Sequence, residues 1–490
     1  MTATHSSDAR GPLRTMGSMS EDATTARDLR AAADRAFDET RWDEAARDYE
    51  ACLSLVSDDP SCDEAELLTR LGSCYWSMSE ARTAWRTLRR AMSLFRDRGD
   101  GIGFARATVE VLRIWGPWER QRQMADEALE MLGDADPYLR ARLLLATSWR
   151  GRDQRWEEAI AIAERHRFED ILASRIQDQS YSVFRDAADV DASISLALQA
   201  HDAYARAKAY EPACGALRGA GFGTMEHGLL DRGAELARRC VDYSRSVHLR
   251  FHEELALTDL AGEAFARADD ARCHALLDEL STNTDFRADL YRMWMVERSG
   301  DTGRAVQMLV DPERAGRAAT GMSQTHGAAA GVLYRAGLFE PAKSALDRWA
   351  EIVRPTGDMS IEAPALFECI AGLGDDDLVR EVCGSYEVRK PDEQRIPTYA
   401  TLQGRACAPA HGEMLMRLGR IDDAERVYVD GLTWCERERV PVDAGLCLAG
   451  LADVAASRDD RDPANDHRRR ARVLFERHQA ALYMPRVRET

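Results

Sequence analysis

Residues 68–91, LTRLGSCYWSMSEARTAWRTLRRA, contain two amphipathic segments joined by a short polar turn. Small and large apolar side chains recur there at intervals of three or four residues, at Leu68, Leu71, Gly72 and Tyr75 and then at Ala84, Leu88 and Ala91. This spacing places each set on one face of an α-helix. It predicts a helical hairpin in which the small residues Gly72 and Ala84 lie at the crossing and larger side chains pack around them.

The turn between the two segments recurs along the chain. The sequence RWDEA at 41–45 returns as RWEEA at 155–159, and related turns begin at Gly300, Gly337 and Gly419. Glycine adopts the left-handed conformation of a helix C-cap, and acidic residues favour a helix N-terminus. Each turn is therefore predicted to end one helix and begin the next.

One small residue near the start of each second helix marks the repeat. These markers are Ala45, Ala84, Ala125, Ala159, Ala192, Gly233, Ala271, Ala305, Ala342, Ala424 and Ala471, with an indistinct one near residue 380. Their mean spacing is about 39 residues, slightly more than the roughly 34 of an ideal helical-hairpin repeat. The chain is predicted to be an all-α solenoid of about a dozen antiparallel helical hairpins over residues 25–486.

The same pattern divides the chain into four parts. Residues 1–24 are expected to be a disordered N-terminal tail, and residues 25–383 a helical-repeat array. Residues 384–400, GSYEVRKPDEQRIPTYA, contain two prolines and are expected to be a loop or a break between sub-arrays. Residues 401–490 complete the repeats and end in a capping helix, residues 311–331 offer a second hinge, and no segment shows a strand pattern.

Composition excludes several classes of protein. The sequence has no apolar run of 18 residues and no secretory signal, which favours a cytoplasmic location and no membrane span. A net charge of −18 disfavours nucleic acid as a partner. The only lysines, Lys208, Lys343 and Lys390, lie outside any Gly-rich loop, which excludes a P-loop ATPase. The 11 cysteines are isolated and are predicted to be buried, reduced thiols.

Three motifs raise alternatives that we weigh against simpler interpretations. His248 and His252, beside Glu253, could bind a metal if one helix carried both, but ordinary hydrogen-bonding histidines are the simpler interpretation. The glycines of GAGFG at 219–223 are similar to a dinucleotide-binding turn, but no strand precedes them and close helix packing explains them better. The arginine-rich residues 458–490 could contact nucleic acid, but solvated charges on a capping helix are the simpler interpretation.

Large apolar residues on the first helices provide candidates for partner binding. The hairpin geometry places Trp76 one position past the core residue Tyr75, on the side expected to line an inner groove. Phe222, Met225 and Trp294 occupy comparable positions, and such anchors bind peptides in solenoid grooves. The competing interpretation places each of them in the core between repeats.

The hairpin of residues 68–91 resembles the tetratricopeptide repeat (TPR), which implies a right-handed superhelix. The segments RWDEAARDYEACLSLV at 41–56, RLGRIDDAERVYVDGL at 417–432 and the closing residues 471–490 are similar to the helical-repeat region of two classes of bacterial regulator. These are LuxR-type activators of the maltose-regulator class and class III adenylate cyclases. Their repeats follow an ATPase module, whereas this sequence has no Walker lysine. The resemblance therefore implies a sensor or partner-binding portion without ATPase, cyclase or DNA-binding activity.

The function predicted from the sequence is a non-catalytic scaffold that binds a protein or peptide in bacterial signalling or transcriptional regulation. It needs no cofactor and no metal. One alternative is a module that senses a small-molecule effector, as in the regulators it resembles. A second alternative is an all-helical metal-dependent enzyme built around His248, His252 and Glu253.

Overall fold

The computed structural model describes residues 16–55, 63–114, 118–148, 153–183, 189–280, 286–310, 319–356, 359, 363–388, 399–400 and 405–488. Its contacts divide the chain into two compact units. The first comprises residues 1–114 and 124–143, and the second comprises residues 115–123 and 144–490. The described residues of both are predominantly α-helical, which confirms the predicted all-α, helical-hairpin fold.

The described part of the first unit contains five complete helices. They are α1 (Met16–Asp38), α2 (Trp42–Leu55), α3 (Glu64–Ser77), α4 (Ala81–Arg98) and α5 (Gly101–Leu112). Helix α1 packs on α2 and α3 packs on α4, as two successive hairpins. The chain passes between the units within α6 (Trp118–Leu132) and within α7 (Pro137–Ala146).

The second unit contains the remaining helices of the described residues. They are α8 (Gln154–His166), α9 (Glu169–Ser182), α10 (Val190–Arg206), α11 (Tyr210–Glu226), α12 (Leu230–Ser246), α13 (Arg250–Ala266), α14 (Asp270–Asp278), α15 (Phe286–Arg298), α16 (Thr302–Gln307), α17 (Ala319–Arg335), α18 (Phe339–Val353), α19 (Phe367–Leu373), α20 (Asp376–Val388), α21 (Ala408–Arg417), α22 (Ile421–Glu438), α23 (Pro441–Ser457) and α24 (Arg461–Arg477). Within the described residues, short 3-10 helices at Arg354–Thr356, Ala363–Ala365 and Ala481–Val487 accompany them.

Glycines allow the paired helices to approach closely, as the sequence predicts. A Cβ on Gly72 of α3 would lie 2.4 Å from Leu88 Cγ of α4, so Leu88 occupies the space that a side chain would need. A Cβ on Gly233 of α12 would lie 2.8 Å from the Gly221 carbonyl oxygen of α11. Such contacts bring the helix backbones together without voids. They confirm that these glycines mark helix crossings.

Several helix ends follow the predicted turn chemistry, while others end at a non-glycine residue in the left-handed conformation, such as Arg167 and Arg439. Gly300, Gly337 and Gly419 have φ values of 99°, 77° and 73°, the left-handed conformation that ends a helix. At the opposite ends, acidic side chains accept hydrogen bonds from free backbone amides. Asp153, for example, accepts from Trp156 N at 3.0 Å where α8 begins.

Two of the predicted marker residues are wrong by one or two positions. Ala192 is only partly buried and Ala271 is exposed, whereas the neighbouring Ser193 and Cys273 are buried against the partner helix. Both helices begin close to the marker, so a small error in the predicted start rotates the apolar face. The remaining markers are buried.

The predicted boundaries also differ from the structure in three places. Residues 16–24 belong to α1 rather than to a disordered tail, and residues 1–15 lie outside the described part of the chain. Helix α20 continues to Val388, into the segment expected to be a loop, while residues 389–398 are not described. Two-residue strands, β1 (Tyr399–Ala400) and β2 (Arg405–Ala406), pair antiparallel where no strand was expected. Strands this short carry no recognisable alternation in the sequence.

In the second unit, the first helices of successive hairpins contact one another. The series runs α11, α13, α15, α17, α19, α21 and α23, and α23 returns to contact α13. The neighbouring outer helices also meet, because Trp434 Nε1 of α22 donates to Gly228 O before α12 at 2.9 Å, and Leu230 N of α12 donates to Glu438 Oε2 of α22 at 3.1 Å. We call α11, α13, α15, α17, α19, α21 and α23 the inner helices.

Candidate binding site

A cavity of about 440 Å³ lies against three inner helices of the second unit. Helices α17, α19 and α21 form one side of it, and the C-terminal 3-10 helix forms the other. Its polar lining residues are Tyr334, Arg335, Glu368, Glu413, Tyr483 and Arg486. The volume lies within the range of small-molecule and side-chain pockets. We call it the inner cavity.

Arg335, at the end of α17, forms the inner wall of this cavity. Its Nε and Nη2 donate to the two carboxylate oxygens of Glu297 at 2.7 and 2.9 Å, and its Nη1 donates to Glu368 at 2.7 Å. Burial alone would lower the pKa of Arg335, but the two carboxylates raise it well above its ordinary value. The guanidinium is thus fixed as a cation by two acidic partners.

Arg486 projects from the C-terminal 3-10 helix toward acidic side chains on three inner helices. Its Nη2 donates to Glu413 Oε2 at 2.7 Å, while Asp453 lies 3.9 Å away and Glu368 lies 4.0 Å away. The guanidinium carbon also lies 5.7 Å from the centre of the Phe367 ring. Burial opposes the charge, but the nearby carboxylates of Glu413 and Glu368 raise the pKa of Arg486.

Tyr483 anchors the same 3-10 helix at the cavity. The side chain is fully buried, and Arg405 Nη1 donates to its hydroxyl at 2.8 Å. On β2, Ala406 N donates to Asp443 Oδ2 of α23 at 2.7 Å, and burial raises the pKa of that carboxyl. The strand pair and the 3-10 helix are therefore held together on the inner helices.

A second polar cluster lies on α11, α13 and α15. Asp259 accepts from Arg218 Nε at 2.8 Å and from Arg287 Nη1 at 2.9 Å. Arg218 also lies over the ring of Phe222, 5.7 Å from its centre. The cluster thus carries two guanidinium groups for one buried carboxylate, beside a partly accessible aromatic ring.

Three of the four predicted groove residues are buried. Trp76 lies in the first unit and is 3% exposed. Met225 and Trp294, in the second unit, are each 1% exposed. The ring centre of Trp294 lies 6.1 Å from that of Phe265. Only Phe222 is partly exposed. The three buried side chains lie in the core between helices, so a partner would reach them only after a local rearrangement.

The two histidines do not share a helix face. His248 lies in the turn before α13 with φ of 55°, and His252 lies in the first turn of the helix, 3.7 Å from Glu211. The interpretation that one helix carries both is therefore wrong. Within the described residues, no group of three or more histidine, cysteine, aspartate or glutamate side chains is arranged to bind a metal ion.

The cysteines and the GAGFG glycines have structural roles. Ten cysteines are free and buried, which confirms the prediction for them, and Cys62 lies outside the described residues. Burial raises the pKa of Cys74 to about 12. Gly221 faces α12, because its Cβ would lie 3.1 Å from the Gly233 carbonyl oxygen. The helix-packing interpretation is confirmed for Gly221.

The arginine-rich C-terminal region is less solvated than the sequence indicates. Arg469 and Arg470 are exposed, but Arg468 is 9% exposed, and Arg486 pairs with carboxylates of the inner helices. No sequence pattern identified Arg335, Glu368, Glu413 and Arg486 as a group. They are far apart in the chain, and no local spacing connects them.

Comparisons with known proteins yield structural likenesses only. No family model matches the chain, and no curated protein matches it. The structure of the APC/C hetero-tetramer Cut9-Hcn1 aligns with 94% of this chain and 82% of its own, at 14% identity and a TM-score of 0.42. A Rap protein complexed with competence and sporulation factor aligns with 94% of this chain and 99% of its own, at 12% identity and a TM-score of 0.32.

A third structure, the P58(IPK) TPR domain, aligns with 95% of this chain and 97% of its own, at 12% identity and a TM-score of 0.24. The TPR-like fold of the present chain rests on its own helix pairs and on the small residues at their crossings. No helix in the described ranges is both long and apolar enough to cross a membrane.

Proposed function

We propose that the chain is a non-catalytic scaffold whose second unit binds a protein or peptide partner at the inner cavity. The observation that carries the proposal is the lining of this cavity, where paired arginine and glutamate side chains lie beside two tyrosines. Such a lining offers both signs of charge and aromatic surface to a polypeptide segment. The proposed setting is bacterial signalling or transcriptional regulation in the cytoplasm, as the resemblance to helical-repeat regulators implies.

Blocking the cavity tests this function. Ala371 is half-buried at the cavity wall, so Ala371→Trp places an indole in the space that a ligand side chain would enter. Ala271→Trp, on the exposed surface of α14, makes the same chemical change away from the cavity. Peptides selected from a random display library against the intact chain supply the probes.

We expect at least tenfold weaker binding of the selected peptides to Ala371→Trp and unchanged binding to Ala271→Trp, measured by fluorescence anisotropy. Equal binding to both variants would show that the peptides bind outside the inner cavity. Circular dichroism of both variants checks that each retains the helix content of the unmodified protein.

The groove positions predicted from the sequence remain part of the proposal. Of Trp76, Phe222, Met225 and Trp294, only Phe222 is partly exposed, and it lies beside the cluster of Arg218, Asp259 and Arg287. We expect Phe222→Ala to weaken the binding of a partner that extends along α11. Unchanged binding of every selected peptide would remove Phe222 from the site.

A small-molecule effector is the second candidate, because the cavity volume of about 440 Å³ would accommodate a compact ligand. Thermal melting with sugars and nucleotides separates the two functions. A ligand present at 100 times its Kd stabilises a folded protein by about 2.7 kcal/mol. A rise in melting temperature that Ala371→Trp abolishes would favour the effector, and no rise with any compound favours a polypeptide partner.

A further inference from the structure

The last described segment of the chain lies against the inner helices with one face buried. Within the 3-10 helix Ala481–Val487, Tyr483 and Val487 are buried, whereas Ala481 and Pro485 are exposed. It follows α24 but does not add a further helical hairpin. Its alternation of inserted and exposed residues is that of a short peptide bound to a surface.

Contacts from five places in the second unit hold this segment. Arg486 is paired with acidic side chains of α19, α21 and α23, and Arg472 Nη2 of α24 donates to the Val487 carbonyl oxygen at 2.8 Å. At the other end, a Cβ on Gly300 would lie 3.2 Å from Ala481 Cβ, so the turn after α15 touches the segment directly.

The acidic side chains of the inner helices complement the positive charge of the bound segment. Glu368, Glu413 and Asp453 converge from three helices on the one guanidinium of Arg486. Three residues earlier in the segment, the Tyr483 hydroxyl accepts from Arg405. The feature by which this surface recognises a bound segment is therefore a tyrosine in the segment, followed three positions later by an arginine.

The inner cavity adjoins this segment. Leu482, Tyr483 and Arg486 form its wall on the C-terminal side, and residues of α17, α19 and α21 form the opposite wall. A molecule that enters the cavity contacts both the segment and the helices that hold it. The cavity thus gives a competitor a first point of attachment.

We propose that residues 481–487 are an intramolecular ligand of the inner helices, and that a partner polypeptide carrying a Tyr-x-x-Arg segment competes with them for the same site. This inference rests on the proposed function and specifies its partner and its regulation. The chain's own segment raises the concentration of partner needed, because an intramolecular ligand competes at high effective concentration.

A cleavable version of the full chain tests the inference after folding is complete. A protease recognition sequence is inserted after Gln479, an exposed turn residue, and a fluorescein is attached at the C-terminus. After cleavage, we expect the labelled segment to stay bound, with unchanged anisotropy. An excess of unlabelled peptide ALYMPRVRET, residues 481–490, is expected to displace it.

Two variant peptides provide the specificity test. Arg486→Glu reverses the charge that faces Glu413, whereas Arg488→Glu makes the same change at an exposed residue. We expect the Arg486→Glu peptide to displace the label at least tenfold less effectively than the unmodified peptide, and the Arg488→Glu peptide to match it.

Release of the label on cleavage alone would overturn the inference, as would equal displacement by all peptides. Retention that no peptide reverses would also overturn it, because the segment would then be a permanent part of the core. None of these results affects the comparison of Ala371→Trp with Ala271→Trp, so the proposed function is judged separately.

Discussion

Gly412 offers a direct test of how the helices of the second unit pack. It lies in α21, and a Cβ at this position would be 2.3 Å from Tyr428 Cε1 of α22. From the other side, a Cβ on Gly450 of α23 would lie 2.3 Å from Tyr428 Cζ. The Tyr428 ring, which is 1% exposed, thus lies buried between Gly412 and Gly450.

The expected magnitude follows from two opposing effects of Gly412→Ala. Alanine favours a helix interior over glycine by about 1 kcal/mol. Adding a methyl group to a closely packed core costs roughly 1–3 kcal/mol, and a 2.3 Å contact with a confined ring places this site at the upper end. We therefore expect a net loss of about 1–2 kcal/mol in local stability.

Gly215 provides the matched control. It lies within α11, and a Cβ there would meet nothing within 4 Å. Gly215→Ala therefore keeps the gain in helix propensity without the steric cost, and we expect it to stabilise α11 by about 0.4–1 kcal/mol. The same substitution is thus expected to have opposite signs at the two positions.

Hydrogen exchange read by mass spectrometry measures each effect locally, without assuming that the whole chain unfolds in one step. A loss of 1–2 kcal/mol makes amides of α21 and α22 exchange roughly 5- to 30-fold faster. In a chain that already carries Tyr428→Leu, Gly412→Ala should cost less, because the obstructing ring is absent. Slower exchange in Gly412→Ala, as in Gly215→Ala, would refute the packing described here.

Three further outcomes are expected. Trp434→Phe removes the donor to the Gly228 carbonyl and should destabilise the junction of α12 and α22 by about 1–2 kcal/mol. Hydrogen exchange of both helices measures this effect, and unchanged exchange would contradict the contact between them. The hydrogen bond from Leu378 N lowers the pKa of Asp375. The ionised carboxylate therefore stabilises the fold above the unfolded pKa of about 3.9. This contribution is lost as the pH falls through the folded pKa. The difference in melting temperature between Asp375→Ala and the unmodified protein should accordingly shrink from pH 6 to pH 3, and a constant difference would exclude this role. Finally, the ten described thiols should not react with a disulfide reagent at pH 8 until the protein is unfolded, and a fast reaction of Cys74, which is buried with a pKa of about 12, would contradict its burial.

The fold was accessible from the sequence because its determinants are local. Gly72 and Leu88 lie on consecutive helices joined by a short turn, and the sizes of their side chains indicate that Leu88 packs on Gly72. The same local pattern failed for Ala192 and Ala271, where an error of one or two residues in the helix start moved the marker off the buried face.

The candidate site was not accessible in the same way. Trp434 and Gly228 meet across 206 residues, and Arg486 meets Glu413 across 73, so these contacts depend on the path of the whole inner series. Local spacing also cannot separate a groove aromatic from a core one, as the burial of Trp76 and Trp294 illustrates. Arg486 appeared to be one of many solvated arginines, because its acidic partners lie in three earlier helices.

Photo-crosslinking from position 482 tests most directly whether residues 481–487 lie against the inner helices. A benzophenone side chain replaces Leu482, which lines the inner cavity, and mass spectrometry locates the crosslinked peptides. We expect crosslinks within one chain to the end of α17 near Tyr334 and to α19 near Ala371. Crosslinks only to other regions, or only between two copies of the chain, would contradict this placement.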